Sequence, residues 1–264
     1  MNAAARPFLI EDVVTGPPAV AASVRLERTA KRVRCFLGDT AVADSTHAML
    51  CFETNRLAVY YFPLHDVVGG ALVSSGRTYE SPLKGAARYF DVSAGGAVAA
   101  DAAWEYRDPL PGAEPGTRYV AFHWTLMDAW FEEDEEVFIH PRDPYHRIDV
   151  LQSSRHVEVA VSGSVVAESH RPRILFETSL PPRYYLPRED VRLGLLEPST
   201  TRTGCAYKGY TTEYWALNGR DVAWTYATPP PEVGRIAGMI AFFNERVDIT
   251  IDGRKQQRPA TPWS

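Results

Sequence analysis

Val157-Glu158-Val159-Ala160-Val161, closed by Ser162-Gly163, places apolar side chains at alternate positions and then turns. That is the period of a half-buried strand, whose successive side chains face opposite sides. Arg32-Val33-Arg34-Cys35-Phe36-Leu37 before Gly38-Asp39 has the same form, as does Val247-Asp248-Ile249-Thr250-Ile251 before Asp252-Gly253; Asn218-Gly219 marks a further turn. Helical periodicity is scarce, and 20 prolines with 13 tyrosines suit short strands and irregular loops. The chain reads as all-β, built from antiparallel sheets.

The same stretch belongs to a duplication. Val33, Val42-Ala43-Asp44-Ser45, Phe52-Glu53-Thr54, Tyr60-Tyr61, Pro63, Asp66-Val67 and Lys84-Gly85 recur at a constant offset. Their partners are Val157, Val166-Ala167-Glu168-Ser169, Phe176-Glu177-Thr178, Tyr184-Tyr185, Pro187, Asp190-Val191 and Lys208-Gly209. After a net shortening, Trp104-x-Tyr106 matches Trp224-x-Tyr226, Ala121-Phe122 matches Ala241-Phe242, and Asp128 matches Asp248. The offset exceeds the roughly 20–50 residues of a solenoid unit, so each copy is a small domain. The expected division is an N-terminal extension over 1–27, a first repeat over 28–138, a connector over 139–154, a second repeat over 155–255 and a tail over 256–264.

A net charge of -5 argues against nucleic-acid binding through a basic surface. No apolar run is long enough to span a membrane, and Met1 to Ala21 lacks the pattern of a signal peptide. Three widely spread cysteines, 35, 51 and 205, suit reduced thiols in the cytoplasm. No metal or cofactor is expected: the cysteines lack ligand spacing, His140 and His146 have no partner set, and Glu132 to Glu136 reads as a solvated acidic edge. His123, replaced by Phe243 in the second copy, reads as structural.

Candidate site residues come from the repeat. Lys208 and Arg183 together suit a carboxylate or phosphate, one as a point charge and the other as a planar fork, with Arg188 beside them. Tyr185 is a hydrogen-bond donor, and Trp224 with Tyr226 forms either a stacking wall or part of the core. Cys205, three residues before Lys208, is either an inert small residue or a nucleophile activated by the ammonium. Glu177 is a base, a strand-end carboxylate in water, or a buried partner for the lysine. Lys208-Gly209 is equally compatible with a plain turn, glycine there allowing positive φ. Glu53, Tyr61, Lys84, Trp104 and Tyr106 are the first-domain equivalents, with Ser81 in place of the cysteine.

Ala167-Glu168-Ser169, Phe176-Glu177-Thr178, Arg183-Tyr184-Tyr185-Leu186-Pro187-Arg188-Glu189-Asp190-Val191, Leu196-x-Pro198-Ser199, Cys205-x-Tyr207-Lys208-Gly209 and Trp224-x-Tyr226 resemble domain-of-unknown-function family 427. The resemblance covers both repeats and His140-Pro-Arg-Asp-Pro-Tyr145, and looks like the tandem version found in bacteria. It departs at Ala206, where the family has proline, and more so at Ser81-Pro-Leu-Lys-Gly85. It implies a tent of small antiparallel sheets similar to the Mss4-like fold. The family also carries a nucleotidyltransferase-like label, but the acidic metal-ligand set such chemistry needs is missing here.

The function these readings favour is binding of a small anionic molecule, with the main cleft in the second domain. The rivals are an enzyme using Cys205 or Glu177 with Lys208, and a structural or protein-interaction module. Nucleotidyl transfer is disfavoured. Neither nucleic acid nor membrane is an expected partner, and the oligomeric state stays open.

Overall fold

The structure, a computed structural model, describes residues 22–264. The described residues fold as two units, 22–143 and 144–264, each built from antiparallel sheets. In the first, a seven-stranded sheet runs in the order Val24–Arg28, Met49–Glu53, Val59–Pro63, Tyr119–Phe122, Ala97–Tyr106, Gly85–Ala94, Leu72–Ser81. A four-stranded sheet runs Glu135–Glu136, Ala129–Glu132, Val33–Leu37, Thr40–Ser45. The second unit repeats the scheme with Ile148–Gln152, Arg173–Glu177, Arg183–Leu186, Ile240–Phe242, Arg220–Thr225, Glu213–Leu217 and Glu197–Ser199. Its smaller sheet is Ser164–Ser169, Val157–Val161, Asp248–Ile251, Arg254–Lys255. The helices among the described residues are short 3-10 turns, none long and apolar enough to cross a membrane.

Alternation explains the layering. Val157, Val159 and Val161 are buried while Glu158 and Ala160 are not, so one face of the small sheet packs on the large one. Both faces of each large sheet carry apolar clusters. Tyr60 lies in the core shared with the small sheet; Tyr61, its neighbour, joins Met49, Cys51 and Ala121 on the other face. Tyr184 and Tyr185 divide in the same way.

Several repeated residues prove architectural. Ser45 Oγ donates to Asp66 at 2.5 Å and Ser169 Oγ to Asp190 at 2.7 Å. Isolated bridges Ala43 to Val67 and Ala167 to Val191 tie the same loops to the small sheets. Each small sheet also has its register shift at the same place, Cys35/Phe36 and Val159/Ala160.

Two boundaries need correction. Val24–Arg28 is a strand paired with Met49–Glu53, so only part of 1–27 can be an extension, and 1–21 lies outside the described residues. Ile148–Gln152, assigned to the connector, is its equivalent and pairs with Arg173–Glu177. The two edge strands share little sequence, because an edge needs only alternate apolar groups. The tail also packs: Trp263 sits against the outer cluster of the second unit, and Thr261 Oγ1 donates to Glu245 at 2.6 Å.

Candidate functional site

Each domain closes a glutamate onto a lysine. Glu53 ends the strand Met49–Glu53, and Lys84 stands in the turn before Gly85, whose φ of 73° only glycine adopts readily. The turn aims Lys84 Nζ at Glu53 Oε2, 2.5 Å away. In the second domain Gly209, φ 78°, turns Lys208 onto Glu177 Oε2, again at 2.5 Å. Of the readings open for these residues, the structure has the buried partner in both copies. Beside each pair a tryptophan meets a tyrosine: Trp104 Nε1–H donates to Tyr61 Oη at 3.2 Å, and Trp224 hydrogen-bonds Tyr185.

The surroundings of the two pairs differ. In the first domain a cavity of about 270 Å³ opens beside the pair. Glu53, Lys84 and Arg56 form its polar end, with Arg56 Nε 3.1 Å from Glu53 Oε1. Two cations therefore share the one carboxylate in the lining. Aromatic rings make up much of the remaining wall, with Leu57, Val59, Ile139 and Pro141 among them. Trp104 lies 4.5 Å from the His123 ring, Tyr89 stacks on His123 at 6.0 Å, and Tyr106, Tyr61 and Trp124 also line the cavity. Lys84 Nζ sits 5.2 Å above the Tyr106 ring. Burial, only partly countered by Lys84, pushes the Cys51 thiol up to about 11.

In the second domain the equivalent groups are packed shut. Tyr185, Trp224 and Tyr226 are buried, and Glu177 takes a second partner, His146 Nε2, at 3.1 Å. His146 stacks on Tyr207 at 4.2 Å. Burial alone would raise the Glu177 carboxyl, but the His146 hydrogen bond and the Lys208 ammonium overcome it and hold the group at about 2. Lys208 loses from its own burial but is raised by the groups around it, Cys205 and Glu177 first. Phe243 takes the place of His123 and packs on Trp224 at 4.5 Å, the same separation as His123 from Trp104.

The better-formed cleft was expected in the second domain. The cavity lies in the first. Among the described residues, His146 and Tyr207 pack over the glutamate–lysine pair of the second copy, His146 bonded to Glu177 and stacked on Tyr207.

Two expected anchors sit elsewhere. Arg183 makes a bidentate pair with Glu245, at 2.7 and 2.6 Å, with its guanidinium 5.7 Å from both the Trp224 and Trp263 rings. It is buried and fully engaged. Arg188 pairs bidentately with Glu213, at 2.8 and 2.9 Å, and lies over Trp215, which belongs to the core between the sheets and not to the Trp224 cluster. Neither joins Lys208. Cys205 does: it opens the turn that carries the lysine, its carbonyl oxygen accepting from the Lys208 N–H at 3.3 Å. Arg56, Tyr89 and Trp124 were missed because they stand outside the repeated motifs. His146, assigned to the connector, carried no signal for pairing with a glutamate 31 positions on.

The fold and the pairs define a tandem protein of two related all-β domains, the first with an aromatic-rich cavity beside its pair and the second with its pair packed under His146 and Tyr207. The chain belongs to the family described as Domain of unknown function (DUF427), NTP_transf_9, which it matches over 25–133 and again over 149–253. No curated protein matches it.

Proposed function

We propose that the protein binds a small, flat, anionic molecule, and that the first domain holds it. The observation that carries this reading is the pairing, in one cavity of about 270 Å³, of an aromatic wall with a polar end where Lys84 and Arg56 share Glu53. Small-molecule sites are concave, mostly apolar and oriented by a few polar groups. The anionic group would meet Lys84 and Arg56 while the body lies against Trp104, Tyr106 and Tyr89. The second domain would serve as a closed, stabilising copy. Three unbridged cysteines support a reducing compartment such as the cytoplasm.

The enzyme alternative has weaker support. A carboxyl held at about 2, as Glu177 is, accepts protons poorly near neutral pH. For nucleotidyl transfer, the cavity lining offers a single carboxylate, already tied to two cations.

Titration of the full chain with benzoate, 2-naphthoate and indole-3-acetate, followed by calorimetry and tryptophan fluorescence, tests the proposal. At least one should bind, Trp104→Ala should weaken it at least about tenfold, and Trp224→Ala should leave it unchanged. Absence of binding by all three, or binding indifferent to Trp104→Ala, overturns the reading.

A further inference from the structure

We propose that the exposed face of the second domain's small sheet binds one divalent transition-metal ion through His156, Glu168 and His170. The site is independent of the cavity reading.

The register brings the three together. Val157 pairs with Ser169 and Glu158 with Glu168 across the antiparallel strands Val157–Val161 and Ser164–Ser169. Continuing that register one residue outward sets His156 opposite His170. Side chains two apart share a face, so His156, Glu158, Glu168 and His170 all lie on the side away from the core. The contacts agree: His156 Nε2 lies 2.9 Å from Glu168 Oε1, and the His156 and His170 rings stack at 4.2 Å with 11° between their planes. One donor atom from each of the three residues lies within 4.8 Å of the others.

Donors sharing one zinc-type ion, each at about 2.1 Å, stand about 3.4 Å apart. Rotation of exposed side chains closes the difference. Two imidazoles and one carboxylate suit zinc, copper or nickel, whereas magnesium and calcium prefer all-oxygen sets. On binding, the ion would take the place of the proton shared between His156 and Glu168, leaving further positions for water. Nearby charges are already engaged: Arg155 pairs with Asp252, and Arg171 with Glu189 and Asp190. Glu158 adds a second carboxylate across from Glu168.

At the equivalent positions the first domain has Arg32, Asp44 and Thr46, and there Arg32 and Asp44 form an ordinary ion pair, with Arg32 Nε 2.7 Å from Asp44 Oδ1. In the second copy His156 and Glu168 keep a cross-strand contact at 2.9 Å, and His170 replaces Thr46 beside it, so three side chains of metal-ligating type stand in one place.

The test is calorimetric titration of the metal-free, full-length protein with zinc chloride, alongside thermal melting with and without zinc. The wild type should bind one ion per chain and melt higher with it. The double variant His156→Arg, His170→Thr, which copies the first domain, should lose that binding or weaken it at least about tenfold while keeping the wild-type circular dichroism. Cys205→Ser should bind as wild type. No zinc binding by wild type at large excess, binding retained by the double variant, or binding lost with Cys205→Ser each overturns the proposal.

Discussion

Lys208 Nζ and Glu177 Oε2 lie 2.5 Å apart in a site where the two side chains are only 12% and 5% exposed. An ion pair so far from water behaves differently from a lysine in a surface turn. Its two charges stabilise one another, and each depends on the other staying in place.

Lys208→Met should therefore act first on stability. Removing one partner of a buried pair leaves the other charge uncompensated, which costs about 3–5 kcal/mol. His146 remains beside Glu177 and should hold the loss towards the lower end. A urea denaturation midpoint unchanged by Lys208→Met would contradict the burial of the pair. The double change Lys208→Met, Glu177→Leu should recover much of the loss.

Stability should also depend on acid in a defined window. Glu177 sits at about 2 in the folded chain against an ordinary 4.5, so the unfolded state binds its proton first. Its contribution is fully present above about pH 4.5 and is lost as pH falls towards 2, amounting to on the order of 3 kcal/mol. Urea midpoints between pH 5 and pH 2, compared with Glu177→Gln, measure it: the variant should show the flatter profile.

Thiol reagents should separate the cysteines. Cys35 and Cys51 are buried, while Cys205 is partly exposed. Burial raises the Cys35 thiol well above its ordinary value, and raises Cys51 to about 11. A disulfide reagent at pH 8 should label one thiol quickly in the native protein and all three after unfolding. Cys205→Ser should abolish the fast phase. A fast phase surviving in that variant would mean the strands around Cys51 open readily.

Arg183 should resist conservative exchange. Its two-pronged bond to Glu245 between Trp224 and Trp263 uses the planar guanidinium, which lysine cannot reproduce. Arg183→Lys should lower the melting temperature nearly as far as Arg183→Ala. Full retention of stability by Arg183→Lys would show that charge alone suffices.

Much of the fold was legible because strand period and repetition are local signals. Val157 to Val161 alternates visibly, and Lys84-Gly85 and Lys208-Gly209 announce the same turn twice. The edge strands Val24–Arg28 and Ile148–Gln152 were hidden, since each pairs on one side only and its sequence is weakly constrained. Arg183 looked like an anion anchor because its partner, Glu245, stands 62 positions away, a separation no motif spans. His156-Val-Glu158 and Glu168-Ser-His170 carried a usable signal: two alternating pairs of ligand residues on strands that the repeat already places side by side.

The sequence by itself determined that two related all-β domains follow one another and which residues both retain. These follow from the period of side chains along a strand and from likeness between copies, properties carried along the chain. Only the tertiary structure decided that the retained glutamate and lysine meet as a buried pair, that the first copy keeps a cavity beside it, and that His146 and Tyr207 pack over the second. Those outcomes depend on which side chains from distant strands and turns cover a shared face, and long-range packing leaves no periodic trace along the chain.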